Sequence, residues 1–278
     1  MTGQPPTLIV HLTQLALLEA RGADAAAFLQ GQLSNDVRRV TPDLAQLSSY
    51  NSPKGRMLAV LHVLRQGDAL LLELQRSLLE STLKRLKMYV LRSKVTLAEV
   101  ADRATLGVAG PEAAKVLGQL GLPAPAAPLA CAWAGETCVM RRIGDAPRYT
   151  VLVPAARSDE LWRQLGSHAT AGSTDDWKRL EIEAGVPTVY PETQDRFVAQ
   201  MCNLDALGGV SFDKGCYTGQ EIIARVHYRG AVKRRMTSQR LEGPPPAPGS
   251  KLDAGEVVDA VAHPDGGSVA LVVISAAS

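Results

Sequence analysis

Asp213-Lys214-Gly215-Cys216-Tyr217-Thr218-Gly219-Gln220-Glu221 is the most informative stretch of the chain. Gly215 and Gly219 permit backbone conformations closed to other residues, so the stretch reads as a tight turn. Thr218 with Glu221 three places on has capping-box spacing and predicts a helix running through Ile222 and Ile223. Cys216 then lies just ahead of a helix N-terminus, whose partial positive charge favours a thiolate. Lys214 adds to this if its ammonium approaches the sulfur. Two readings of Cys216 stand side by side. One is an accessible, low-pKa thiol that attacks a substrate, binds a metal transiently or senses redox state. The other is a small apolar side chain filling space beside a turn. His227 is too far along the chain to assert a Cys/His dyad.

Downstream, Arg225, Arg229, Lys233, Arg234, Arg235 and Arg240 interleave with His227 and Tyr228. Such a stripe is either a solvated cationic face or a surface for a polyanion such as RNA or a polyglutamate chain. Upstream, Trp177 to Pro187 predicts a helix over 174–184 with Thr174 as its cap and Gly185 beyond its end. Glu183 falls near the C-terminus of that helix, where a carboxylate is electrostatically disfavoured. It is either a surface residue or a group with another task, such as pairing with adjacent N–H donors of a pterin ring. Trp177 either stacks on a flat heterocycle or belongs to the core.

The chain has 278 residues, 46% of them hydrophobic and 21% charged, which excludes a wholly disordered polypeptide. Its length predicts two domains, or one with an appendage. A net charge of +2 does not mark a dedicated nucleic-acid binder. No uncharged apolar run is long enough for a membrane span, and Met1 to Pro6 lacks a secretory signal pattern, so the expected compartment is the cytoplasm. Cys131, Cys138, Cys202 and Cys216 are too sparse for a disulfide scaffold and form no C-x-x-C pair. No permanently bound metal is expected.

Hydrophobic periodicity predicts a first helix over 24–36, capped by Asp24 and burying Ala27, Phe28, Leu29 and Leu33. Strands follow at 44–50, 57–65 and 69–74, with a turn at Ser52-Pro53-Lys54-Gly55. Ser77 to Glu80 reads as a capping box opening a helix that buries Leu79, Leu83, Leu86 and Val90. Strands at 94–100, 104–109, 129–134, 137–142 and 148–153, with helices after Pro111 and around 157–168, complete an α+β pattern of antiparallel sheet covered by helices. Gly243 to Gly249 is a linker, and 256–262 with 268–274 form a hairpin.

Together these pieces resemble the YgfZ family of folate-binding proteins, relatives of the glycine-cleavage aminomethyltransferases and of a mitochondrial iron–sulfur factor. The family hallmark K-G-C-Y-x-G-Q-E is matched without exception by Lys214 to Glu221. Leu204 to Phe212, Arg229-Gly230 and Gly22 to Val37 are also similar, and Glu183-Ala184-Gly185 looks like the acidic folate-contact segment. The resemblance implies an aminomethyltransferase-like folate-binding fold, a cloverleaf of subdomains around a central pocket. Residues 1–240 would form it, in subdomains of about 1–100 and 101–240. Residues 241–278 would form a small, shortened C-terminal β domain.

It further implies a bound tetrahydrofolate, with Glu183, Trp177, Arg225 and Arg229 as contacts. Lys214, Gly215, Cys216, Tyr217, Gly219, Gln220 and Glu221 would be the functional motif, with the Cys216 sulfur at the lip of a pteridine-sized cavity. The implied role is iron–sulfur protein assembly or repair, acting indirectly on tRNA modification through iron–sulfur client proteins. Folate-dependent one-carbon or methyl transfer and direct tRNA binding are the alternatives. One departure bears on catalysis. Where the aminomethyltransferases carry G-G-x-x-D-D, this chain reads Lys54-Gly55-Arg56-Met57-Leu58-Ala59. Leu58 and Ala59 cannot handle a proton, so glycine-cleavage activity is not expected.

Overall fold

The computed structural model describes residues 6–230 and 232–275. Met1 to Pro5, read above as lacking a signal, and the last three residues of the expected β domain lie outside it. Strands β1 (Leu8–His11) and β2 (Leu15–Arg21) precede helix α1 (Ala25–Gln30). Then come β3 (Gln46–Asn51), β4 (Met57–Gln66), β5 (Ala69–Gln75), α2 (Leu79–Met88), β6 (Thr96–Glu99), β7 (Arg103–Ala109) and α3 (Ala113–Gln119). The middle of the chain holds β8 (Cys131–Ala134), β9 (Thr137–Arg141), β10 (Arg148–Pro154), α4 (Ala155–Gly166), β11 (Thr170–Ala171) and α5 (Thr174–Glu183). Last are α6 (Gln220–Arg229), β12 (Arg234–Leu241), β13 (Lys251–Leu252), β14 (Gly255–Ala262) and β15 (Ser268–Ser275).

Three sheets result, in the orders β3-β4-β5-β2-β6, β11-β1-β7-β10-β9-β8 and β12-β15-β14-β13. All pairings are antiparallel except β1 with β11. The α+β reading therefore holds, and the third sheet is the small C-terminal β unit. That sheet begins at Arg234, ahead of the expected boundary at 241, because β12 pairs with β15 along its full length. Its polar sequence, RRMTSQRL, hides a strand whose hydrogen-bonding comes from its partner.

Strand β5, ALLLELQ, is buried on both faces, and this places the site. Leu70, Leu72 and Leu74 enter the main core with α1 and α2. Leu71 packs the other way, against Cys131, Cys138, Met140 and Leu152 of the second sheet. Glu73 shares that face by the period-2 alternation of a strand, so a carboxylate is carried into the space between two sheets.

Local capping departs from the expectations in four places. Helix α1 stops at Gln30; Ala27 is exposed, and the Asp24 carboxylate accepts from Lys94 N at 2.6 Å instead of capping. No capping box forms at Ser77, because a short 3-10 turn, Arg76–Leu78, leads into α2. Helix α5 is capped by Ser173 in a capping box with Asp176, so Thr174 is its first residue. Gly219, at φ 84°, stands at the N-cap of α6 in place of Thr218. Among the described residues no helix is long and apolar enough to cross a membrane.

Candidate functional site

A cavity of about 230 Å³ lies where β4, β5 and α5 meet. Its polar wall is built from His62, Glu73, Arg142, Lys178, Glu181 and Tyr190, and Trp177 lines its apolar side. His62 and Glu73 are direct cross-strand partners of β4 and β5, with His62 Nδ1 3.5 Å from Glu73 Oε1. Arg142, just past β9, donates to Glu73 Oε1 and to Glu181 Oε1, the latter at 3.0 Å. Arg148 approaches the same Glu181 oxygen at 3.1 Å.

Every member of this network is buried, so pairing decides its charge state. Burial alone would raise the Glu73 carboxyl; the Arg142 charge and the bonds from His62 and Arg142 outweigh it and hold Glu73 down to about 2. Burial likewise opposes the Glu181 anion, and Arg148 and Arg142 overcome it, so this carboxyl also lies below its usual range. Burial and the Arg142 charge push the His62 imidazole below its ordinary value, which leaves it neutral. The His62 proton then sits on Nδ1, facing the Glu73 anion, and Nε2 presents a lone pair.

Three buried cavity-wall atoms have no hydrogen-bond partner among the described residues: Gln14 Oε1, His62 Nε2 and Glu181 Oε2. All three are acceptors. A buried polar atom left unmatched costs about 1–3 kcal/mol. N–H donors on a ligand would satisfy these acceptors.

Beside this wall, Lys178 Nζ pairs with Asp259 Oδ1 at 2.7 Å, and Tyr190 donates to Asp259 Oδ2 at 2.9 Å. Asp259 is turned inward where the register of β14 against β15 shifts between Val257 and Asp259. Burial pushes its carboxyl up to about 6 although Lys178 pulls the other way. The C-terminal sheet is thus tied to the cavity rim.

The structure separates the expected site residues. Trp177 lines the cavity and is only 2% exposed. A Cβ on Gly107 would come within 2.6 Å of its ring, so the ring packs directly on the backbone of β7 at Gly107. Glu183 does not reach the cavity: it is exposed and pairs with Arg179 at 3.1 Å. The reason is helical geometry, since residues two apart on α5 point to different sides, and it is Glu181 that faces inward. None of the motif residues 214–221 lines the cavity, so the Cys216 sulfur is not at its lip. Cys216 is exposed on another surface, while Cys131, Cys138 and Cys202 are buried. Lys214 does not serve the sulfur. Its three ammonium protons go to the carbonyls of Gln30, Leu33 and Asn35 at 2.7, 2.6 and 2.9 Å.

Gly219 is required by close approach: a Cβ there would lie 2.5 Å from Ser52 O and 2.8 Å from Gly55 Cα. Gln220 Oε1 accepts from Tyr217 N at 3.2 Å, and the Tyr217 ring lies under Lys214 at 4.7 Å. Nothing in the structure explains Gly215. Glu221 pairs with Arg225 at 2.8 Å on the exposed face of α6, and Arg225, Tyr228 and Arg229 line a shallow groove there. His227 stacks on Phe212 with centroids 3.6 Å apart.

Sequence reasoning missed His62, Glu73, Arg142 and Glu181. A Glu flanked by leucines in β5 and a His among aliphatics in β4 were the available signals, since such strands rarely bury unpaired charge. Leu58 and Ala59, where acids are absent, do not line the cavity; its carboxylates come from β5 and α5. Among the described residues no three His, Cys, Asp or Glu side chains are grouped to hold a metal ion.

No family model matches the chain. Among solved structures, the glycine cleavage system aminomethyltransferase T from Bartonella henselae superposes with a TM-score of 0.81, covering 98% of this chain and 79% of that one at 16% identity. The fold is thus the aminomethyltransferase fold. Among curated relatives, the tRNA-modifying protein YgfZ of Escherichia coli is 36% identical over 231 residues, 83% of this chain and 71% of that protein. Its namesake from Escherichia fergusonii matches to the same extent. Since the shared span includes most of both chains, and the eight-residue motif is complete, the chain belongs to the YgfZ family.

Proposed function

We propose that this protein binds a tetrahydrofolate by its pterin ring in the cavity between β4, β5 and α5, and that it acts in tRNA modification as its YgfZ relatives are named for. The observation that carries the reading is the set of three unpartnered acceptors, Gln14 Oε1, His62 Nε2 and Glu181 Oε2. The 2-amino group and ring N–H groups of a reduced pterin form the complementary edge of donors. Bound folate would supply a one-carbon carrier. The residues here would orient it and keep water from its ring. Glu73 and Glu181 are held as anions, so they accept hydrogen bonds and have no proton to donate near neutral pH.

The finer reading places the protein in the cytoplasm as an accessory to iron–sulfur protein assembly or repair, with exposed Cys216 as its working thiol. Arg225 and Arg229 then belong to the surface that meets a macromolecular partner, not to the folate contacts. Calorimetric titration with tetrahydrofolate under anaerobic conditions tests the cavity. Wild-type protein binds, Glu181→Gln weakens binding at least about tenfold, a loss of about 1.4 kcal/mol, and Glu183→Ala leaves it unchanged. Absence of binding by the wild type, or full affinity in Glu181→Gln, refutes the site. Loss of iron–sulfur enzyme activity in cells carrying Cys216→Ala tests the thiol, and normal activity removes it from the mechanism.

A further inference from the structure

A second cavity has the opposite polarity. It measures about 280 Å³ and opens between α2 and the end of the β3–β4 hairpin. Tyr50, Thr82 and Arg85 supply its polar wall, Lys84 stands at its mouth, and Leu58 and Met88 form its apolar side. Tyr50 is 1% exposed and Thr82 3%. Tyr50 Oη, Thr82 Oγ1 and Arg85 Nε are buried without a hydrogen-bond partner among the described residues. Thr82 sits mid-helix, where a hydroxyl commonly bonds back to the preceding turn, and here it does not. No acidic side chain lines the cavity, and among the described residues neither Lys84 nor Arg85 pairs with a carboxylate. Gln194 closes the rim by donating to Leu58 O at 2.9 Å.

The guanidinium N–H can only donate, and the two hydroxyls can do so as well. The Tyr50 hydroxyl keeps its proton, since burial pushes it up to about 12. Donors converging in a buried, positively charged, half-apolar space fit an anion that has left its water behind, because such an anion needs every lone pair met. We propose that this cavity is a binding site for a small oxyanion, separate from the acceptor-lined cavity and independent of whether that cavity takes a folate. Benzoate and inorganic phosphate are its two probes. Benzoate tests an organic acid whose ring packs on Leu58 and Met88; phosphate tests the free ion.

The experiment is calorimetric titration of the full chain with each probe, in the wild type and in Tyr50→Phe, Arg85→Gln and Glu181→Gln. Saturable binding of one probe is expected at millimolar concentration or below. Tyr50→Phe and Arg85→Gln each weaken it about tenfold or more, as the loss of a hydrogen bond to a charged group implies, and Glu181→Gln leaves it unchanged. The probe that binds identifies the source of the oxyanion. Thermal melts separate binding from folding: without probe, Tyr50→Phe and Arg85→Gln each still unfold in one cooperative transition above the titration temperature. Binding of neither probe overturns the proposal, as does binding that survives both Tyr50→Phe and Arg85→Gln or disappears in Glu181→Gln.

Discussion

Replacing Lys214 by methionine removes the ammonium and keeps most of the side chain's length and apolar bulk. In the native protein this ammonium donates to three backbone carbonyls at the end of α1 and in the turn after it, at 2.6–2.9 Å. Lys214 is 6% exposed, and the bond to Leu33 O is fully buried while those to Gln30 O and Asn35 O are partly so. Losing the donor strands Leu33 O outright, at about 1–3 kcal/mol. The two partly buried carbonyls recover water and lose less. Relief of the buried charge offsets some of the loss, since burial already lowers the Lys214 ammonium to about 8. A net destabilisation of about 3 kcal/mol follows, or roughly 6–12 °C in Tm at the ~2–4 °C per kcal/mol typical of larger domains. Urea denaturation followed by circular dichroism, together with a thermal melt, measures it. Cys216→Ala serves as the comparison and changes neither midpoint. If Lys214→Met melts with the wild type while Cys216→Ala is destabilised, the lysine is no bolt and the reasoning about the motif is wrong.

Three further outcomes follow from the geometry. Against the effect of burial, Glu73 is held from its ordinary 4.5 down to about 2 by Arg142 and His62, so the stability it contributes is complete above pH 4.5 and is lost as pH falls through that interval; Glu73→Gln flattens this acid limb of the stability profile, and an unchanged limb counts against the ion pair with Arg142. Gly219→Ala places a Cβ against backbone atoms of the 52–55 turn and demands φ 84° of an L-residue, so it destabilises by about 1–3 kcal/mol in the same denaturation assay, and a neutral effect contradicts the packing. Iodoacetamide alkylates one thiol of the native protein, Cys216, and reaches the other three only after denaturation; mass spectrometry that finds Cys131, Cys138 or Cys202 modified at the same rate shows that they are not enclosed.

The layout of strands was legible because turn chemistry and apolar runs coincide at Ser52 to Gly55, at Gly67-Asp68 and at His263 to Gly267. The motif was legible as a motif, but one part of its reading, Lys214 beside the sulfur, does not hold. Its spacing suggested that Lys214 and the α6 N-terminus serve the Cys216 sulfur. The partners of Lys214 are instead carbonyls more than a hundred residues earlier, which no local pattern encodes. The cavity was illegible for a similar reason. Whether Glu181 or Glu183 faces inward depends on the rotation of α5 about its axis, which accords with Trp177 packed on Gly107, Glu181 paired to Arg142 and Arg148, and Lys178 paired to Asp259, all long-range contacts. Strand β12 escaped notice because its ladder comes from β15 and its own residues are mostly polar.

Two of the segments that carry the family resemblance, Gly22 to Val37 and Leu204 to Glu221, bind each other. Ser34 Oγ donates to Gly209 O at 2.7 Å and Asn35 Nδ2 to Gly208 O at 2.7 Å. Ser211 N donates to Ser34 O, Thr218 N to Gly31 O, and Lys214 closes the seam. Most of the motif is accounted for by this seam: the lysine bolts it, Tyr217 fills it, Gly219 lets two turns touch, and Gln220 ties back to Tyr217. What the seam does not use is Cys216, which is exposed between Lys214 and Tyr217, both committed to structure. The thiol stands on the surface two residues from the Lys214 anchor, and the adjoining face of α6 offers Arg225, Arg229 and a Tyr228 that is 64% exposed. The acceptor-lined cavity lies elsewhere, between β4, β5 and α5. In this geometry a ligand in that cavity and the thiol do not share a reaction centre, so a mechanism that uses both must connect them through a partner that covers the thiol surface or through a change in the packing of the seam itself.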